Sequence, residues 1–106
     1  MRQLILLRHA KSSWVNPKLD DFDRPLNKRG QRGAKALGGW FRSSGWQPDQ
    51  VLCSAARRTR ETWEGLKLPG EAELRQDLYH ATAAAMLGVL RGASGKTVLM
   101  IGHNPG

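Results

Sequence analysis

Leu4-Ile5-Leu6-Leu7-Arg8-His9-Ala10 is the stretch on which the fold turns. Four consecutive apolar residues are too few to span a membrane and too continuous for a half-exposed strand. They predict a short strand covered on both faces, as in a parallel sheet. The strand runs straight into Arg8 and His9, a cation beside an imidazole. In open α/β sheets, ligands bind beyond the carboxyl ends of the strands. An imidazole with a guanidinium beside it at that place suggests chemistry on an anion. Taken alone, the pair is better explained as the polar end of a strand.

The rest of the chain decides between these readings. Lys11 to Pro25 has no periodicity, and Pro17, Asp20, Asp21, Asp23 and Pro25 mark a long loop. Because it follows His9 directly, it is expected to form part of a site's rim, pinned by Trp14 and Phe22. Asn27 is placed to N-cap a helix running to about Ser43, with Ala34, Leu37, Trp40 and Phe41 on its inner face. Lys28, Arg29, Arg32 and Lys35 fall largely on the other side. Gln50-Val51-Leu52-Cys53 predicts a second buried strand, with Ser54 at its carboxyl end. Arg57 to Leu66 follows as a helix with Thr59, Trp63 and Leu66 at core spacing.

Lys67 to Gly70 reads as a turn and Glu73 to Leu78 as a third strand nearer an edge. Thr82 caps a helix carrying Met86, Leu87 and Leu90 and stopped by Gly92. Thr97-Val98-Leu99-Met100-Ile101 is the clearest strand, ending at Gly102-His103. The alternation β-α-β-α-β-α-β predicts a three-layer α/β/α fold with a mostly parallel sheet.

Composition bounds the functions available. The 106 residues suffice for one domain at most, and 40% hydrophobic with 25% charged content is ordinary for a globular chain. A formal charge of +8, from 17 Lys+Arg against 9 Asp+Glu, favours phosphorylated or polyanionic partners. One cysteine, Cys53, excludes an internal disulfide and fits a reducing compartment. Met1-Arg2-Gln3 before only four apolar residues makes neither a signal peptide nor a membrane helix, so the chain reads as cytoplasmic.

Parallel strands would bring His9, Ser54, Tyr79-His80 and His103 to one edge of the sheet, with Arg58 in the first turn of a helix that starts there. Each residue alone has an ordinary explanation; their convergence is harder to dismiss. Phosphoryl transfer needs an in-line nucleophile and positive donors around the equatorial oxygens. A neutral imidazole, with an unperturbed pKa of about 6.5, is a competent nucleophile. Guanidiniums supply forked donors matched to phosphate oxygens.

The segment Leu6-Leu7-Arg8-His9-Ala10 resembles the Arg-His-Gly signature of the histidine phosphatase (phosphoglycerate mutase-like) superfamily. Ser54-Ala55-Ala56-Arg57-Arg58-Thr59-Arg60-Glu61-Thr62 is similar to its second motif, and Ile101-Gly102-His103-Asn104 to its third. Asp23-Arg24-Pro25-Leu26-Asn27 with Gly30 resembles the segment that opens the first helix. Short length and Arg-His-Ala point to the SixA-like phosphohistidine phosphatase branch.

The resemblance implies that His9 accepts the phosphoryl group and that Arg8, Arg58 and His103 form the phosphate pocket, with Arg24 and Ser54 as further substrate-binding candidates. The motif's spacing from Ser54 selects Arg58 over Arg57. It implies no cofactor and no metal, a phosphorylated protein or small phosphate ester as partner, and neither a specific nucleic acid nor a membrane. The carboxylic acid that larger members use on the leaving group has no counterpart in the short turn Lys67 to Gly70; Asp77, Tyr79 and His80 are the weak candidates. Imidazole leaves more readily than an alkoxide, which favours phosphohistidine over a small phosphomonoester. Asn104-Pro105-Gly106 reads as the start of another helix. The expectation is therefore a single histidine phosphatase domain, residues 1–106, cut short at its C-terminus.

Three rival readings carry less. Basic charge with Trp14, Trp40, Trp46 and Trp63 suggests a nucleic-acid module, but two of these tryptophans fall at helical core spacing. A metallohydrolase using His9, His80 and His103 lacks paired histidines at helical spacing and a bridging carboxylate. Cys53 stands one residue too close to Arg58 for a Cys-x5-Arg phosphatase loop, where Thr59 holds the required place.

Overall fold

The computed structural model describes residues 3–8 and 20–103. His9, Trp14 and the expected helix start at Asn104-Pro105-Gly106 lie outside them. In chain order the elements are β1 (Gln3–Arg8), a 3-10 turn (Asp21–Asp23), α1 (Lys28–Ser44), β2 (Gln50–Ser54) and α2 (Arg57–Leu66). There follow β3 (Ala72–Arg75), a second 3-10 turn (Gln76–Leu78), α3 (Ala83–Arg91) and β4 (Thr97–Gly102). The strands lie in the order β1-β4-β2-β3 and every pairing is parallel. Arg8 stands level with Gly102, and Ser54 with Arg75, so the carboxyl ends share one edge.

The helices stop and start where their chemistry dictates. Asn27 Oδ1 accepts the Gly30 N–H at 2.7 Å, and Gly45 closes α1 in the left-handed region at φ 72°. Thr82 Oγ1 accepts the Ala85 N–H at 3.1 Å to open α3, which ends at Gly92. Each face of the sheet carries its own core. On one side Phe41 and Leu66, from α1 and α2, meet Val51, Cys53, Leu99 and Ile101; on the other Met86 and Val89 of α3 meet Leu52, Val98 and Met100. Fully burying a side chain of this kind contributes about 1.5–3 kcal/mol.

Four expectations are corrected. β1 is not covered on both faces: Ile5 and Leu7 pack against the α1/α2 core, but Leu4 and Leu6 are 42% and 57% exposed. They line an open groove of about 190 Å³ with Met86, Leu87, Leu90 and Met100. β1 sits at the end of the strand order, and α3 borders the groove on that face without covering Leu4 and Leu6. Leu87 belongs to this groove rather than to the core. Trp40 is also exposed, because α1 buries the narrow stripe Gly30, Ala34, Gly38 and Phe41. The third strand ends at Arg75, where the second 3-10 turn, closed by the Tyr79 N–H on the Gln76 carbonyl, swings Leu78 into the α3-side core.

Small residues set the distance between α1 and α2. A Cβ on Gly38 would collide with the backbone carbonyl of Leu66, and one on Gly65 would lie 2.8 Å from the Ala34 methyl. Arg42 reaches across to donate to the Leu66 carbonyl at 2.8 Å, satisfying a group at the end of α2.

Candidate active site

Four chain segments meet at the carboxyl edge of the sheet. Ser54 ends β2 and is fully buried. The turn behind it is fixed by Thr59, whose hydroxyl donates to the carbonyls of Ser54 and Ala56, both at 2.8 Å. α2 therefore starts at the sheet edge with its unpaired N–H groups turned toward that edge. Its first two residues face opposite ways. Arg57 is 46% exposed and pairs with Glu61 at 3.1 Å along the helix surface. Arg58 is 6% exposed and turns into the cluster. Glu61 has a second task, accepting the Leu26 N–H at 2.8 Å and so tying the incoming loop to α2.

His103 follows β4 and is half-buried. Its Nε2 lies 2.9 Å from Ser54 Oγ, and its Nδ1 lies 3.3 Å from Arg58 Nη2. A guanidinium nitrogen can only donate. Nδ1 therefore accepts, and the ring proton resides on Nε2, donating to Ser54 Oγ. A proton gained at Nδ1 would give the ring a second donor for an anion. Ser54 thus positions the imidazole.

The loop after β1 supplies the other half of the site through Asp21. Its backbone carbonyl accepts from Arg58 Nη1 at 2.6 Å, and its Oδ2 takes Arg58 Nη2 at 3.0 Å, Tyr79 Oη at 2.6 Å and His80 Nε2 at 3.0 Å. Burial opposes ionisation of this carboxyl. The bonds from Tyr79, His80 and Arg58, with the guanidinium's charge, outweigh it and hold the group well below the usual carboxylate range. Burial and the bond to Asp21 push the Tyr79 hydroxyl up to about 12, so it remains a donor. The Tyr79 ring stands edge-on to Phe22 at 5.1 Å and to His103 at 5.6 Å. His80 sits in the left-handed region at φ 55°, a conformation costing a non-glycine residue about 1–2 kcal/mol. Its ring lies 4.1 Å from that of Tyr79 and 6.4 Å from that of His103.

Of the residues singled out in the sequence, Ser54, Arg58 and His103 are in direct contact. Arg8 stands exposed at the end of β1, on the same edge. Arg24 is buried in the segment between the first 3-10 turn and α1. Among the three candidates for a leaving-group acid, Tyr79 and His80 reach the cluster. Asp77 instead pairs with Arg75 at 2.6 Å on the surface. Asp21 is the residue that sequence reasoning treated only as part of a loop. Its one signal was the acidic cluster Asp20-Asp21-Phe22-Asp23, late in the loop after Arg8-His9, in a chain of formal charge +8. Cys53 is fully buried, and burial pushes its thiol up to about 12, so it serves as a small apolar strand residue. Among the described residues no three His, Cys, Asp or Glu side chains gather to hold a metal, and no helix is long and apolar enough to cross a membrane.

Comparison with known proteins agrees with this architecture. The family model of the histidine phosphatase superfamily (branch 1) matches residues 4–79. An uncharacterized chloroplastic protein of Arabidopsis thaliana is 32% identical over 99% of this chain and 55% of its own length. A solved structure from Nakamurella multipartitia, assigned as the phosphohistidine phosphatase SixA, superposes with a TM-score of 0.89 at 35% identity. The match covers 98% of this chain and 60% of that one. The corresponding SixA structure from Agrobacterium tumefaciens also gives 0.89, at 31% identity over 96% of this chain and 69% of its own. The chain thus spans less than two-thirds of the Arabidopsis and Nakamurella proteins.

Proposed function

The chain belongs to the histidine phosphatase superfamily, in its SixA-like branch, and from that membership we propose that it is a phosphatase acting on phosphohistidine in proteins through a phosphohistidine intermediate on His9. The observation that carries this reading is the meeting of Arg58 and His103, 45 residues apart in sequence, at 3.3 Å on the carboxyl edge of the sheet. Arg8 ends β1 on the same edge, and His9 is the next residue in the chain.

In the proposed reaction Arg8 and Arg58 receive the phosphoryl oxygens and His103, protonated as the dianion arrives, adds a third donor. A nitrogen of His9 bonds to phosphorus while the P–N bond of the substrate breaks, its electron pair returning to the departing ring. Water then attacks the phosphorus on His9 and releases phosphate. The described site offers no carboxylic acid for the leaving group, since Asp21 is held ionised and Asp77 is engaged with Arg75. That suits an imidazole leaving group better than an alkoxide. The names of the Nakamurella and Agrobacterium relatives support the same substrate class.

The test uses the full-length natural protein, a 32P-phosphohistidine protein and p-nitrophenyl phosphate. Rapid quenching should trap an acid-labile label that mass spectrometry locates on His9. His9→Ala should lose the label and about a thousandfold or more in turnover. Normal turnover by that variant, or a label elsewhere, overturns the mechanism. Faster turnover of p-nitrophenyl phosphate than of phosphohistidine places the protein among the phosphomonoesterases instead.

A further inference from the structure

The site contains an anion that the proposed chemistry does not use. Asp21 stands on the same guanidinium expected to grip the phosphoryl group, 3.0 Å from Arg58 Nη2. Along the sheet edge the order β1-β4-β2-β3 sets out Arg8, then His103, then Ser54 and Arg58, then Tyr79 and His80. The proposed nucleophile follows β1 at one end of this row. In-line displacement puts the leaving group on the side of phosphorus opposite the nucleophile. That is the side of Asp21, Tyr79 and His80.

The structure shows what this carboxylate accepts. An imidazole, that of His80, is docked on Oδ2 at 3.0 Å, and its side chain is 64% exposed. Oδ2 carries all three side-chain bonds, from Arg58, Tyr79 and His80, while Oδ1 accepts from none of the described residues. The carboxylate is itself 42% exposed, so an incoming ring N–H can reach it.

Resting on the phosphohistidine reading above, we infer that Asp21 is the specificity-determining residue for the leaving group: its carboxylate accepts the ring N–H that the substrate's phosphoimidazole carries in its protonated, imidazolium form. The substrate ring enters protonated by solvent at its non-phosphorylated nitrogen; the P–N electron pair then returns to the phosphorylated nitrogen while that proton stays in place, held by Asp21. The group departs as neutral imidazole and no proton need be delivered to it. The same charge repels leaving groups that carry carboxylates or phosphates. A leaving group without an N–H gains nothing from Asp21.

The experiment compares kcat/KM of the full-length protein and Asp21→Asn on N-phosphoimidazole and p-nitrophenyl phosphate. The expected result is a selective loss: whatever the loss on the ester, the loss on phosphoimidazole exceeds it by about tenfold or more, a gap worth at least about 1.4 kcal/mol. The ratio of the two rates does not depend on how much of the variant folds. A second measurement needs no variant. 1-Phospho-3-methylimidazolium lacks the ring N–H, and the wild-type preference over spontaneous hydrolysis should fall about tenfold relative to phosphoimidazole. Equal losses on both substrates in Asp21→Asn would mean that Asp21 only positions Arg58, and would overturn the inference. An unchanged ratio, or full activity on the methylated substrate, would overturn it as well. If the wild-type protein hydrolyses no phosphoimidazole or phosphohistidine, the functional reading fails and this inference with it; if it does and the ratio is unchanged, only the role of Asp21 falls.

Discussion

The two halves of the site are built by different means. The half formed by Ser54, Arg58 and His103 hangs on regular structure: two strand ends and the first turn of a helix, with Ser54 fully buried and Arg58 nearly so. Its geometry follows from the sheet register. The half formed by Asp21, Tyr79 and His80 belongs to short turns and loops, is partly exposed, and is joined by side-chain hydrogen bonds spanning 58 and 59 residues. The first half is preorganised by packing and suits the constant part of the reaction, the phosphoryl group. The second depends on one carboxylate and suits the part that varies, the leaving group.

The largest expected effect tests the rigid half. Arg58→Ala removes a buried forked donor and should cost about 10²–10³-fold in kcat/KM, by analogy with a lost oxyanion donor. Steady-state kinetics on phosphohistidine check it, and a loss under tenfold would place the phosphate elsewhere. A smaller effect tests the loop half through pH. The carboxyl of Asp21 is lowered on folding, so the stability its bonds supply is complete above the ordinary value of 3.8 and is lost as pH falls through the folded value. The difference in Tm between wild type and Asp21→Asn should therefore be greatest at pH 5–7 and narrow progressively below about pH 4. A gap independent of pH would show that the carboxylate's charge does not hold the loop. The smallest effect is the control: Arg57→Ala loses only an exposed pair with Glu61 and should stay within about twofold of wild-type activity. A larger loss than for Arg58→Ala would exchange the roles of the two arginines.

The contrast also explains what was legible in the sequence. The alternation of elements implied parallel strands, and parallel strands bring Ser54 and His103 to one edge whatever their separation in the chain. Choosing Arg58 over Arg57 required the resemblance, since helical periodicity alone puts either near the site. Asp21 escaped because a loop's path obeys no period; its partners are fixed only when Glu61 and Arg58 hold it against α2. The continuous apolar run in β1 identified a strand but not which of its faces has cover, and Leu4 and Leu6 proved open. Trp40 was misplaced for a related reason. Apolar spacing puts it on the inner face with Ala34, Leu37 and Phe41, whereas α1 turns inward a narrower stripe whose small members admit α2 at close range.

That close range acts as a mechanical stop. Gly38 bears on the last residue of α2, and Arg58 is carried near the beginning of the same rigid rod. A methyl group at Gly38 would lever the rod away from α1, and the guanidinium would move with it. Displacements of about 1 Å at a reacting group are enough to cost about a hundredfold in rate. The alignment of the arginine is thus gauged by a contact at the far end of its helix, made by a residue with no side chain.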